Sequence, residues 1–330
     1  MAWRLIGHAI GSKLLGRFLA DDDLVLSRVW GSLRMQRKTL ETCGYVLARA
    51  ARRFPPWWHF RLYHHVHKRF LGDPYWCDDR PRENRWTRIN PHGYEMELTG
   101  SDWMERYAIH TGEFWSDEIY AIIETTLNEG SSFIDIGANV GFVTLCAARA
   151  VGTRGRVFSF EPNVALVERL HRMLEHNDIT NVTLFPYAAG KRDWRNGFTD
   201  DLHHGGNHVV ADLAEAPAVV PVRRVDDVLE GHLPGGDALV KLDIEGAEMM
   251  ALSGMPNLIR RPDTTFIVEM CDEWLHRNGG SAKAIFQMMS NAGYRAFLPY
   301  FPPLSAKLRM RPLDALPPEQ KIYDVLFRRD

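Results

Sequence analysis

Phe133-Ile134-Asp135-Ile136-Gly137-Ala138-Asn139-Val140-Gly141-Phe142 reads as a buried strand, a glycine-bearing turn and the opening of a helix. A short apolar run that stops at glycine suits a strand covered on both faces. Gly137 permits the sharp turn, and Gly141 lets the new helix sit close to the sheet and the backbone close to a ligand. Outward from this stretch the same pattern repeats. Apolar strands are predicted at 157–160, 182–185, 239–242 and 265–268, with two last strands at 295–298 and 323–327. Helical stretches fall near 141–150, 163–176, 225–231, 246–253 and 281–291. Continuous apolar strands joined by helical crossovers predict a doubly wound, Rossmann-like α/β sheet, mostly parallel and seven-stranded.

Upstream, 116–129 reads as a helix with Ser116 as N-cap and Gly130 as its stop, and Glu95–Leu98 alternates like a strand. Residues 1–48 have helical apolar spacing, with Leu33, Leu40 and Leu47 seven apart. From Arg49 to Arg88 there are ten Lys/Arg against four Asp/Glu, interleaved with aromatics. That stretch suits an accessory layer packing its rings on the core, or a peripheral membrane or substrate contact. The expected division is an N-terminal helical, aromatic-basic extension over 1–95 and a catalytic domain over 96–330.

The composition is that of an ordinary globular chain, 45% hydrophobic and 25% charged, with a formal net charge of −2. It gives no global attraction to nucleic acid. Cys43, Cys77, Cys146 and Cys271 form no C-x-x-C pair, which suits free thiols in a reducing, cytoplasmic compartment. No long uncharged apolar run or secretory leader is evident.

The turn after the first core strand narrows the ligand. Its glycines follow G-x-x-x-G rather than the dinucleotide pattern G-x-G-x-x-G, with Asn139 where the middle glycine would meet a pyrophosphate. Asp135 beside it repels phosphate and attracts an ammonium or sulfonium, and S-adenosylmethionine carries both. Asp135, Gly137, Ala138, Asn139 and Gly141 are therefore candidate cofactor residues. Glu161, 24 residues past Gly137, should end the neighbouring strand and accept hydrogen bonds from two ribose hydroxyls, or else cap the next helix. At the third strand tip Tyr187, Ala188 and Ala189 leave room for a flat adenine ring, or form a plain turn.

Three segments, FIDIGANVGFVTLCAA (133–148), SFEPN (159–163) and VKLDIEGAEMMALSG (240–254), resemble the FkbM-type methyltransferase family. The likeness extends over about residues 94–328. It departs at Tyr187-Ala188-Ala189-Gly190, where members often carry Asn before the Ala pair. The resemblance implies the sheet of class I methyltransferases, S-adenosylmethionine as donor, and O-methylation of a hydroxyl on a sugar, polyketide or related metabolite.

Asp243, Glu245 and Glu248 follow the fourth core strand, and Glu269 ends its neighbour. Crowded carboxylates raise one another's pKa, which suits a proton acceptor. Asp243 and Glu245 are the candidate catalytic residues, unless they only cap the helix at Gly246 and bind Lys241. Glu248 reads as helix surface or a structural hydrogen bond. Glu269, with His204 and His208 on the loop 201–208, is a candidate substrate contact. A divalent metal held by Asp243 and Glu269 is possible on ligand type, without metal spacing to support it. Asp226-Asp227 reads as an ordinary helix cap. The expected partner is a small-molecule or glycan hydroxyl acceptor. A catalytically silent scaffold and a nicotinamide-dependent oxidoreductase are the competing functions.

Overall fold

The computed structural model describes residues 84–90, 92–100, 103–198, 209–210, 218–302, 307–316 and 322–329. The segment 1–83, the loop 201–208 and the expectations made for them, His204 and His208 included, lie outside the described residues.

The central sheet is built from β3 (Ser132–Ile136), β4 (Arg156–Phe160), β5 (Val182–Phe185), β10 (Ala238–Leu242), β11 (Thr264–Met270), β12 (Arg295–Tyr300), β13 (Arg309–Leu313) and β14 (Tyr323–Arg328). Its spatial order is β13-β12-β14-β11-β10-β3-β4-β5. β5, β4, β3, β10 and β11 run parallel, and β14, β12 and β13 pair antiparallel. The seven expected strands thus form the doubly wound, Rossmann-like sheet, mostly parallel, and β13 is added at one edge.

Alternation along the strands divides the core. Phe133, Leu239, Ile267 and Leu326 pack on one face beneath α2 (Asp117–Thr126), α3 (Phe142–Val151) and α4 (Val164–His176). Ile134, Val240, Phe266 and Val268 face the other way, toward α5 (Val225–Val228), α6 (Glu248–Ser253), α7 (Pro256–Arg260) and α9 (Ala282–Asn291). Each large side chain so buried contributes about 1.5–3 kcal/mol. The helices start where capping chemistry allows. Ser116 Oγ accepts from Ile119 N, and Asn163 Oδ1 accepts from Ala165 N and Leu166 N. Asp226 does cap a helix, but not its own. It accepts from Asn257 N at 2.6 Å and Leu258 N at 3.2 Å, closing the start of α7.

Two features had no strong sequence signal. β6 (Ala188–Ala189), β7 (Trp194–Phe198), β8 (Val209–Val210) and β9 (Ala218–Arg223) make a separate small sheet. β1 (Arg85–Arg88) pairs with β2 (Glu95–Leu98) in a hairpin that crosses the division expected between residues 95 and 96. A buried ion pair fastens this hairpin and the following α1 (Trp103–Thr111) to α4. Arg169 Nη1 lies 2.8 Å from Glu105 Oε1, Arg169 Nε donates to Glu97 O, and Glu105 Oε2 accepts from Thr99 N and Gly100 N. Asn177 adds strand-like bonds, accepting from Glu95 N and donating to Glu95 O. The segment that carries α1 is thereby held over the carboxyl ends of the strands. Among the described residues no helix is long and apolar enough to cross a membrane.

Candidate functional site

A cavity of about 470 Å³ lies at the carboxyl ends of β3, β4, β10 and β11, where open α/β sheets bind ligands. Its first wall is the β3 turn. Gly137 has φ +89°, and a methyl group on its Cα would lie 2.1 Å from the Asp243 carbonyl oxygen and 2.8 Å from Ile244 Cγ2. The turn after β3 is therefore pressed against the turn after β10. At Gly141 the close approach is to another helix rather than to the sheet, since a methyl there would meet Leu170 of α4 at 2.4 Å. Asn139 takes φ +49°, a conformation asparagine tolerates, so the middle position of this turn does not need glycine.

Four backbone amides of this turn are engaged within the protein. Gly137 N and Ala138 N both donate to Phe160 O at 3.0 Å, Asn139 N donates to Glu161 Oε2 at 2.8 Å, and Gly141 N donates to Ala138 O. A phosphate nest needs such amides pointing outward. Their engagement here explains physically why the turn suits a ligand without phosphates.

Glu161 lines the cavity and is 6% exposed. Its Oε1 accepts from Asn163 N at 2.9 Å and its Oε2 from Asn139 N at 2.8 Å. Each carboxylate oxygen has two lone-pair sites, so one site on each remains for a ligand. Burial pushes this carboxyl up to about 7, against the two backbone bonds that favour the ionised form. The helix cap itself is Asn163, to which Glu161 is tied through the backbone. Tyr187, Ala188 and Ala189 line the same end with Phe160 and Leu166, leaving a flat apolar slot.

Asp135 is placed differently from its neighbours. It is fully buried and does not line the cavity. Its Oδ2 accepts from Thr144 Oγ1 at 2.6 Å, while Oδ1 has no hydrogen bond and lies 3.9 Å from Lys241 Nζ. Burial raises its pKa, with Lys241 opposing. Asp135 therefore bears on the cavity through Lys241, whose Nζ also meets Asp243 Oδ2 at 3.0 Å. Burial works to lower the Lys241 ammonium's pKa, but Asp243 and Asp135 together push it above the ordinary lysine range.

Register explains where the other carboxylates fall. Asp135 pairs with Lys241, and Lys241 with Ile267, in one transverse row. Two residues further along each strand, on the same face, come Gly137, Asp243 and Glu269, with Asp324 opposite Glu269 on β14. Glu161 extends this second row on the β4 side, one residue beyond Phe160, which pairs with Ile136. The row therefore reads Glu161, Gly137, Asp243, Glu269, Asp324 across five strands.

Glu245 stands just beyond it with φ +53° and lines the cavity. Burial, then the nearby Asp243 and Glu248 charges, push its carboxyl up to about 8. Burial and the facing Asp243 raise Glu269 well above the usual range, and raise Asp324 to about 7. Neither Glu245 nor Asp243 caps the helix. Glu248 holds that turn, its Oε1 accepting from Ile244 N at 2.9 Å and Gly246 N at 3.2 Å.

The outer wall is aromatic. Trp103 and Trp115 lie edge-on at 5.5 Å, and Trp274 approaches from α8 (Asp272–Arg277). A methyl on Gly246 would lie 2.3 Å from the Trp274 carbonyl oxygen, so this glycine lets α8 close down on the Glu245 turn. Sequence reasoning did not select Lys241, Asp324 or these three indoles as site residues. The signal for the two charged groups was a lone charge inside an apolar strand, in LVKL and YDVLF. Among the described residues no three His, Cys, Asp or Glu side chains converge as a metal cage. Cys146 and Cys271 are free and buried away from one another's bonding.

Residues 135–296 match the methyltransferase FkbM domain family. Methyltransferase 1 of Beauveria bassiana is 24% identical over 240 residues, which cover 66% of this chain and 88% of the relative. The hexuronic acid methyltransferase AglP of Haloferax volcanii is 27% identical over 173 residues, 51% of this chain and 67% of its own length. A crystal structure of the methyltransferase FkbM from Methylobacillus flagellatus aligns at 17% identity and TM-score 0.41, over 63% of this chain and 47% of that one. The chain thus spans about half the length of that structure.

Proposed function

The chain belongs to the FkbM-type methyltransferase family, and from that premise we propose that it transfers the methyl group of S-adenosylmethionine to a hydroxyl oxygen of a small metabolite or glycan. The observation that carries the donor assignment is Glu161. Its carboxylate is locked by two backbone amides with one open acceptor site on each oxygen, beside a turn whose own amides are spent. This chemistry fits a ribose with two hydroxyls and no phosphate. Tyr187 and Ala188 would flank the adenine, and Gly137, Ala138, Asn139 and Gly141 shape the turn beneath the sulfonium end. When bound, the donor supplies an already activated methyl group for in-line displacement.

What remains for the chain is alignment, water exclusion and one proton. Glu245 is assigned as proton acceptor at the hydroxyl. No hydrogen bond or ion pair engages it among the described residues, its pKa is displaced upward, and its backbone is held at a positive φ, the kind of strain that collects at reacting centres. Asp243, fixed by Lys241, orients the acceptor. Glu269 extends the acceptor side. His204 and His208 remain candidate contacts from the loop 201–208, and contact of residues 49–88 with a membrane surface remains a further proposal. The buried free thiols of Cys146 and Cys271 support a reducing, cytoplasmic setting.

Calorimetric titration with S-adenosylhomocysteine tests the donor reading. Wild type should bind, NADH should not, and Glu161→Ala should weaken binding about 100-fold, as two charge-assisted bonds disappear. Equal binding by Glu161→Ala overturns it. Turnover of labelled donor on a panel of hydroxylated metabolites then separates an enzyme from a silent scaffold.

A further inference from the structure

The row of carboxylates continues past the place a donor can use. Adjacent strands are about 4.8 Å apart, so Glu269 lies about 5 Å and Asp324 about 10 Å beyond Asp243, away from the β3 and β4 tips. Among the described residues neither side chain, nor that of Glu245, has a hydrogen-bond or ion-pair partner, although Glu269 and Glu245 line the cavity. Among the described residues the one cationic side chain on the cavity wall is Lys241, and it is engaged by Asp243. The same cavity is lined by the indoles of Trp103, Trp115 and Trp274. Partly shielded carboxylates that no hydrogen bond or ion pair engages favour a ligand that brings a positive charge. Indole faces attract organic cations but offer nothing to a hydrated metal ion. The acids also do not converge as a metal cage.

We infer that the acceptor half of the cavity takes a hydroxylated amine, its nitrogen cation at Glu269, with Asp324 adding its charge from the next strand, and its hydrocarbon against the indoles. This deepens the methyltransferase reading and rests on it. An acceptor that carries a carboxylate would meet Asp243, Glu245 and Glu269 there, with Lys241, the one cation of the wall among the described residues, already held by Asp243. Burial first and the neighbouring acids second raise the carboxyls of Glu245, Glu269 and Asp324, and Lys241, joined at Glu245 by Arg277, offsets only part of this at Glu245 and Asp324.

The test uses the full chain saturated with S-adenosylhomocysteine and measures retention of labelled choline by equilibrium dialysis. Choline carries both the charge and a hydroxyl. Its uncharged isostere, with carbon in place of nitrogen, and the anion pivalate serve as competitors. Choline should be retained, the isostere should compete about tenfold more weakly, and pivalate should not compete. Glu269→Gln and Asp324→Asn should each weaken choline several-fold while binding S-adenosylhomocysteine as wild type does, which also reports that they fold. Retention that the isostere or pivalate matches overturns the inference, as does the absence of choline binding in protein that holds S-adenosylhomocysteine. In those cases the donor reading stands. Failure to bind S-adenosylhomocysteine brings down the donor reading and this inference together.

Discussion

The two halves of the cavity are built on opposite principles. On the β3 and β4 side the polar groups of the cavity wall are bonded before any ligand arrives: the amides of Gly137 and Ala138 on Phe160 O, and the Glu161 oxygens on the amides of Asn139 and Asn163. On the β10, β11 and β14 side Glu245, Glu269 and Asp324 have no hydrogen-bond or ion-pair partner among the described residues, and three indoles line the same cavity. A half that meets the same donor in every cycle can be rigid. A half left electrostatically incomplete binds well only when the right acceptor completes it, which is a source of specificity.

Turnover offers the largest effect with which to break this contrast. Removing the proposed proton acceptor by Glu245→Gln should lower kcat by about 10²–10⁴ while leaving S-adenosylhomocysteine affinity in place. With that carboxyl at about 8, wild-type activity should rise with pH through that region, and the rise should vanish in the variant. A variant with unchanged kcat and pH profile transfers the role to Asp243.

Next in size is the rigid side. Gly137→Ala combines a positive φ with a methyl 2.1 Å from the Asp243 carbonyl oxygen, and should cost about 2–4 kcal/mol in denaturant unfolding. A loss under about 1 kcal/mol would mean that the two turns are not packed as described.

A smaller effect concerns pH and the unliganded fold. Carboxyls whose folded pKa is raised favour the protonated native state. Their contribution is complete below the ordinary carboxylate range and is lost as pH rises through about 7 for Glu161 and Asp324 and about 8 for Glu245. The melting temperature should therefore fall by a few degrees between weakly acidic and weakly alkaline buffer. The Glu245→Gln variant should show less of this fall. A melting temperature that climbs over the same interval contradicts the sign.

The smallest effect sharpens the contrast. Asn163→Ala removes the α4 cap and should cost about 1 kcal/mol, seen as a lower melting temperature. It keeps the backbone amide that holds Glu161, so S-adenosylhomocysteine affinity should barely change. A large loss of affinity would show that the side chain, not the main chain, positions the carboxylate.

Much of the donor half was legible in the sequence because it is local. Gly137, Asn139 and Gly141 sit within one strand–turn–helix, and Glu161 follows one crossover later, so spacing alone put them together. Even there the partners were not legible. Which amide Glu161 would hold, and that Gly141 would face Leu170, depend on atoms from separate elements. The acceptor half was legible only as scattered acids. Asp243 and Glu269 were selected, but Asp324 and Lys241 looked like ordinary charges in short strands, and the indoles at 103, 115 and 274 looked like three unrelated aromatics.

The sequence by itself determined the alternation of apolar strands and helices, hence the sheet, and the chemistry of its first turn, because periodicity and φ preferences are properties of neighbouring residues. Only the tertiary structure decided that Asp243, Glu269 and Asp324 form a row and that Lys241 belongs to the first of them. Pairing register between strands tens of residues apart is fixed by long-range packing, and side chains share a row only once that register is set.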